Sequence, residues 1–473
     1  MLQNILVLIF VAALLGQVKR QRSLTLMSVS VLIIYWLQPQ TEPANFTFWL
    51  PTLTVFLTVI TWLLTSDADI YKEKKNWLAG GILLLSMGAI IATRYFDFLK
   101  FFAPRPVIFL AVVVVFFMGV LLLAFTTKQQ AFWQGTLITL ILGIFILTRS
   151  SALLDGLING ISVSLGSRLE TRPSLQWFGY SYIAFRLLHT VRDRQSRRLP
   201  RVTLDEFLSY VLFFPALSAG PIDRIQRFVK DLREPQMLEN DDWVEIAKRI
   251  FWGLTKKFVL ADTLAPYAID PGLVQHLHAP LWMWLAVYAY ALQIYFDFSG
   301  YTDVAIGIGR LLGVALPENF NAPYLKPNLA QFWNNWHITL TQWFRAYFFN
   351  PLTRALRQRK LPANFVLFFV QMSTMVLIGL WHGIQWSFVA WGAWHGLGLF
   401  IQNRWSEWMR RTQLQAVSPP PSTATGAFFS KERWLEYGGI FLTFNFVSLG
   451  WVFFALPTLD LARQAFITLF GVA

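Results

Sequence analysis

The sequence contains no cysteine. That absence excludes disulfides, palmitoylation sites, thiolate metal ligands and a cysteine nucleophile. Charge is also scarce: only 14% of the 473 residues are charged, where a soluble protein has about 25%. With 55% hydrophobic residues and a mean hydropathy of +0.47, this is no ordinary soluble domain. Neither HExxH nor a carboxylate cluster at ligand spacing occurs, so no metal site is expected. No GxSxG elbow occurs, and the lone Ser299 of FDFSGY does not supply one. Zinc-finger and RNA-binding signatures are missing as well. The net charge of +14 is therefore assigned to short loops facing anionic lipid head groups, and no nucleic-acid partner is expected.

What the chain has instead is apolar runs from end to end. In lipid, only helices or closed barrels satisfy every backbone polar group, and these runs are too continuous for alternating barrel strands. The expected fold is all-α and polytopic, with roughly a dozen helical elements, some short of the roughly 20 residues a span needs. Met1–Gly16 has no basic residue before it and Lys19, Arg20 and Arg22 after it. It reads as a first membrane helix with its N-terminus outside, the reverse of a signal peptide's charge order. Further runs cover Leu24–Leu37, Phe46–Leu64, Leu78–Ala92, Val107–Phe125, Phe132–Leu147, Leu175–Leu188 and Ala279–Phe296, then Gly438–Leu456 and Leu461–Phe470. Phe207–Pro221 is interrupted by Pro215, Gly220 and Pro221, the pattern of a broken or re-entrant segment, with Asp223 and Arg224 just after the break. Glu234–Lys257 repeats its apolar residues at helical spacing beside lysines and arginines, as an interfacial amphipathic helix does. Met409–Lys431, with its QAVSPPPSTATGA, reads as a linker. This divides the chain into an N-terminal helical scaffold (1–150), a core (151–410), a Pro/Ser-rich loop (411–432) and C-terminal helices (433–473). No internal repeat is visible, which weakens an inverted-repeat transporter reading.

The chemistry concentrates in Tyr295–Pro351, where an apolar run carries Asp297, Asp303, Arg310, Glu318, His337 and Arg345. Ionisable groups at membrane depth face a cavity or a partner. Start signals at Pro327–Asn328 and a stop signal at Asn350–Pro351 predict one helix between them. On it Trp333, Trp336, His337, Leu340, Phe344 and Tyr347 share one face, with Thr341 a turn beyond His337. In Gly379-Leu-Trp381-His382-Gly383, glycines on both sides weaken the helix and admit a close neighbour. His395, in Trp394-His395-Gly396, fits helix packing through small residues better than catalysis. His337 and His382 are expected to converge on one centre. A neutral imidazole can take a proton from a hydroxyl as it attacks an acyl carbonyl, which requires no cysteine, metal or redox group.

Four stretches together resemble the membrane-bound O-acyltransferase family: FFPALSAGPIDRIQRF, FDFSGYTDVAIGIGRLLGVALPENFNAPY, FWNNWHITLTQWFRAY and GLWHGIQWSFVAWGAWHG. The likeness spans roughly Trp177–Phe400. Its nearest branch is the bacterial cell-envelope one, which includes the D-alanyl transfer protein of teichoic acid modification and the alginate O-acetylation protein. The resemblance implies a helical bundle around a funnel or tunnel in a bacterial plasma membrane. It implies His382 as general base and His337 as the group that polarises the acyl carbonyl or orients the acceptor. It implies no bound cofactor but an acyl thioester donor at the cytoplasmic face, carried by coenzyme A or by a carrier protein's phosphopantetheine. The acceptor would be an extracytoplasmic glycan or lipid hydroxyl, and a partner acyltransferase would fit such a system. Asp297, Ser299, Asp303, Trp333, Asn334, Trp336, Thr341, Arg345, Trp381, His395, Asp223 and Arg224 are the candidates to line the substrate path. Two other readings stay open: a transporter whose path is lined by Asp297, Asp303, Arg310 and the histidines, and a non-catalytic scaffold.

Overall fold

The computed structural model describes residues 1–18, 20–40, 45–67, 69–96, 104–125, 130–150, 152–157, 176–235, 238–415 and 431–471. Among these it is helical throughout, with no strand. Five helices are long and apolar enough to cross a membrane: Thr47–Thr65, Lys74–Tyr95, Gln130–Arg149, Ala363–His382 and Arg433–Ala455. The chain forms two compact units, Met1–Phe251 with Thr302–Pro317, and Trp252–Tyr301 with Glu318–Ala473.

In the first unit, the Arg22–Leu37 helix packs against Lys74–Ala92 and Leu204–Val211, and its Met27, Val31 and Ile34 are buried. The Asn45–Thr65 helix buries a column of threonines. Their hydroxyls donate to carbonyls one turn back, Thr58 to Thr54 at 2.8 Å and Thr61 to Leu57 at 2.7 Å, so none is left unpaired in an apolar setting. The apolar runs expected in this region form helices whose ends lie within a few residues of the predicted ones. Leu175–Leu188 is the exception: the helix begins at Tyr180 and runs to Gln195, and residues 158–175 lie outside the described ones.

The expected interruption of Phe207–Pro221 is present. Leu204–Val211 is followed by a single 3₁₀ turn, Phe214–Ala216. Arg186, from the Tyr180–Gln195 helix, is 1% exposed and satisfies the freed backbone. It donates to the carbonyls of Tyr210 at 3.2 Å, Val211 at 2.8 Å and Ala216 at 2.8 Å. The segment is anchored at its start by a capping box, in which the Thr203 N–H donates to Glu206 Oε2 at 3.0 Å. Arg233 grips both Glu206 oxygens at 2.8 Å. Burial alone would push the Glu206 carboxyl up; Arg233 and the Thr203 N–H overcome that and hold it below the ordinary glutamate range.

In the second unit, Ala363–His382 and Trp386–Gln415 form a tight antiparallel hairpin. A Cβ on Gly379 would lie 2.1 Å from the Phe388 carbonyl oxygen, and one on Gly392 would lie 2.5 Å from that of Met375. Only hydrogen fits at these crossings, the close approach that membrane helices obtain from small residues. The second helix corrects the linker's expected start, because Met409–Gln415 is still helical. Residues 416–430 lie outside the described ones. Lys431–Ala455 and Leu459–Phe470 close a core of Met283, Val287, Val452, Leu456 and Leu469.

The Pro280–Leu311 helix is longer than the predicted Ala279–Phe296 and belongs to the second unit up to Tyr301 and to the first beyond it. Its charges are matched by the stretch that starts as the Asn240–Thr255 helix and continues as a π-turn over Lys256–Ala261. Within the first unit, Asp303 pairs with Arg249 at 3.1 Å and Arg310 with Glu245 at 3.6 Å. Within the second, Asp297 pairs with Lys257.

Candidate active site

The second unit builds its polar centre at a break in the helix that sequence spacing predicts as continuous. Leu329–Asn335 starts on an Asn328 cap, with Oδ1 accepting from Gln331 N at 2.9 Å, and ends before Trp336. His337 takes φ 42° and ψ 54°, a left-handed conformation uncommon for a side-chain-bearing residue. The helix restarts as Ile338–Phe344 and continues through a π-turn, Arg345–Phe349, into Asn350–Gln358. Asn350–Pro351 is therefore not a stop. Pro351 follows directly on the π-turn, inside the continuing helix.

The cause of the break is Asn319, fully buried in the loop after Pro317. Its carbonyl accepts from Ile338 N at 2.9 Å. Its Oδ1 accepts from Thr339 N at 3.2 Å and Thr339 Oγ1 at 2.9 Å. These are the donors that a helix start leaves unpaired. The same Oδ1 lies 3.1 Å from His337 Nδ1. His337 is 2% exposed, and its Nε2 has no hydrogen-bond partner among the described residues.

His382 is the last residue of its helix. Gly383 follows in extended conformation, and a Cβ there would lie 2.5 Å from the Phe388 ring. The glycine-flanked break thus sits where expected, and leaves His382 half-buried. His337 and His382 are electrostatic neighbours and share Trp381. The centroid of Trp381 is 6.1 Å from the first imidazole and 4.5 Å from the second. The row continues from His382 to Trp391 at 5.7 Å and from Trp391 to His395 at 5.0 Å. Imidazoles and indoles thus alternate through the unit's interior, walled by Phe298 at 4.7 Å from His337 and Phe454 at 4.7 Å from His382.

The other candidates distribute as follows. Trp333 meets His395 edge-on at 5.2 Å, and Trp336 stacks on Phe332 and lies tilted against Trp451 at 5.1 Å. His395 is fully buried, and neither ring nitrogen has a partner among the described residues. Its helix does pack through small residues, at Gly392 and Gly396. The Ser299 hydroxyl is buried and likewise unpartnered. Thr341 Oγ1 faces the Trp336 carbonyl at 3.5 Å instead of the imidazole, because the left-handed turn moves His337 out of helical register. Arg345 donates to Asn334 Oδ1 at 2.7 Å. Asp223 and Arg224 belong to the first unit. There the buried Asp223 pairs with Arg227 at 2.6 Å, while Tyr210 donates to its carbonyl at 2.8 Å and Arg224 is exposed. Asp297, Asp303 and Arg310, which the transporter reading needs on a path, are ion-paired.

Sequence reasoning missed Asn319, Trp391, Trp451 and Phe454. Asn319 had a signal: it is an uncharged polar residue in the loop between Pro317 and Pro323, in front of an aromatic-rich segment.

Residues 121–428 match the sequence model of MBOAT, the membrane-bound O-acyltransferase family. The chain belongs to this family. The match takes in the histidine row and most of both units. Among curated relatives, the teichoic acid D-alanyltransferase of Streptococcus thermophilus is 32% identical over 293 residues, 60% of this chain and 69% of the relative. The probable alginate O-acetylase AlgI of Azotobacter vinelandii is 33% identical over 300 residues, 62% of this chain and 53% of that protein. The peptidoglycan O-acetyltransferase of Helicobacter pylori is 34% identical over 293 residues, 58% of this chain and 50% of that protein. The chain thus spans about half the length of these last two. As a family member it is a polytopic membrane O-acyltransferase.

Proposed function

We propose that this enzyme moves an acyl group, D-alanyl or acetyl, from a cytoplasmic thioester to a hydroxyl of an envelope polysaccharide, teichoic acid or lipid in a bacterial plasma membrane. The donor is carried by coenzyme A or by a carrier protein's phosphopantetheine. What supports the reading most is the His337–His382 pair on Trp381, inside a family built for acyl transfer. His382 takes the acceptor's hydroxyl proton as its oxygen bonds to the thioester carbonyl carbon. The C–S bond then breaks, and the imidazolium returns the proton to the departing thiolate, leaving an ester and a thiol. His337 orients the acceptor. The aromatic walls lower the local dielectric and keep water from competing as nucleophile.

The test compares envelope esters in cells making wild type, His382→Ala or His337→Ala at equal membrane levels, with released acyl groups identified by mass spectrometry. Loss of the general base lowers transfer by about 100-fold or more. Both variants are expected to lose one and the same ester. Wild-type ester content in His382→Ala would sink the assignment.

A further inference from the structure

We infer that Asn319 is a positioning residue for His337: it fixes the imidazole as the Nδ1–H tautomer, so that Nε2 presents a lone pair and His337 holds the acceptor by accepting a hydrogen bond from it. The inference rests on the acyl-transfer reading and decides which of two tasks His337 performs there.

The argument is one of donors and acceptors. The Thr339 backbone N–H, 3.2 Å from the Asn319 side chain, can only donate, so the atom it meets is the amide oxygen and not the NH₂. That fixes an orientation of the amide which distance alone leaves ambiguous. The His337 nitrogen 3.1 Å from the same oxygen must then carry a proton. A neutral imidazole has one N–H, so the other nitrogen, Nε2, is left as an acceptor. This nitrogen is buried and has no hydrogen-bond partner among the described residues. Such an atom in an apolar setting calls for a hydrogen-bond donor.

A neutral His337 held this way cannot polarise a thioester carbonyl through Nε2, because that task needs an N–H. It can take a hydrogen bond from a polyhydroxyl acceptor, at a hydroxyl beside the one whose proton goes to His382. The titratable side chain coupled to it is His382, and the rings against it, Phe298 and Trp381, carry no charge. Asn319 also holds the left-handed turn that aims the ring, through Ile338 N and Thr339 N. One residue therefore sets both the direction and the protonation pattern of the imidazole.

The test has a spectroscopic arm and a cellular arm. Protein with ¹³C,¹⁵N-labelled histidine is reconstituted in lipid nanodiscs and examined by solid-state NMR. Wild type is expected to show a neutral Nδ1–H histidine that disappears in His337→Gln. Asn319→Ala is expected to convert it to the Nε2–H form or a mixture. Asn319→Asp, which keeps the accepting oxygen and guards against a variant that simply fails to fold, is expected to retain it. In cells, Asn319→Ala is expected to lower envelope ester by about tenfold or more, and Asn319→Asp to keep more than Asn319→Ala. An Nε2–H His337 in wild type overturns the inference, as does Asn319→Ala with unchanged tautomer and esters. If the tautomer is as described but His382→Ala cells keep their esters, the acyl-transfer reading fails and Asn319 keeps only its role in shaping the turn.

Discussion

Single residues here answer for backbone as much as for chemistry. Arg186 is a buried cation, the kind of residue that invites a functional reading. Its guanidinium is committed to three carbonyls of the interrupted Phe207–Pro221 segment. Arg186→Met removes all three bonds and should cost about 3 kcal/mol or more, because buried carbonyls are left unpaired. Arg186→Lys should rescue little, since one ammonium cannot replace a planar fork. Thermal unfolding in detergent and membrane abundance read both. Glu206 offers a pH test. Its folded-state pKa is depressed, so its pairing with Arg233 stabilises above the unfolded value and is lost as pH falls through the folded one. Glu206→Gln should lower stability at pH 7 by about 1 kcal/mol, a small figure because Arg233 is half exposed and screened by solvent. The gap between variant and wild type should close as the pH drops below about 4; a gap that does not change with pH would contradict the assignment.

At the scale of elements, glycine spacing and helix breaks position the site. His382 sits at the end of a helix clamped to its neighbour at Gly379, where a Cβ would lie 2.1 Å from a carbonyl oxygen. Gly379→Ala should therefore destabilise by about 1–3 kcal/mol and reduce transfer by moving His382. Gly438 has nothing within 4 Å of the position of a Cβ, so Gly438→Ala should be neutral or stabilising by up to about 1 kcal/mol. Equal effects from the two substitutions, read as melting midpoints, would show that the close crossing is not what matters. The second break, at Trp336–His337, was not legible in the periodicity. Apolar residues at helical spacing continue straight through it, and the signal that stops the helix lies some twenty residues earlier, in Asn319. A helix broken by a distant side chain leaves no local mark. For the same reason the Thr341 hydroxyl turns to the Trp336 carbonyl and not to the His337 imidazole, and the two residues meet only through the Thr341 N–H and the His337 carbonyl, at 3.1 Å.

For the whole molecule, composition carries most of the information. A chain with 40 Lys plus Arg against 26 acidic residues places its surplus in stretches such as Arg192–Arg201 and Arg354–Lys360. Such basic stretches suit anionic lipid head groups. Melting midpoints should be higher in nanodiscs containing anionic lipid than in zwitterionic ones, and the difference should shrink at about 1 M salt, where the Debye length falls to about 3 Å. The sequence by itself determined the helical membrane class, most helix positions and the two histidines to test. Hydropathy and glycine or proline punctuation are local properties and survive without coordinates. Only the tertiary structure decided that Asp297, Asp303 and Arg310 are paired, that Arg186 serves the backbone, and that indoles separate the imidazoles of His337, His382 and His395. It also decided which nitrogen of His337 is free to accept. Each of these depends on a donor and an acceptor brought together from distant parts of the chain, and periodicity holds no record of such meetings.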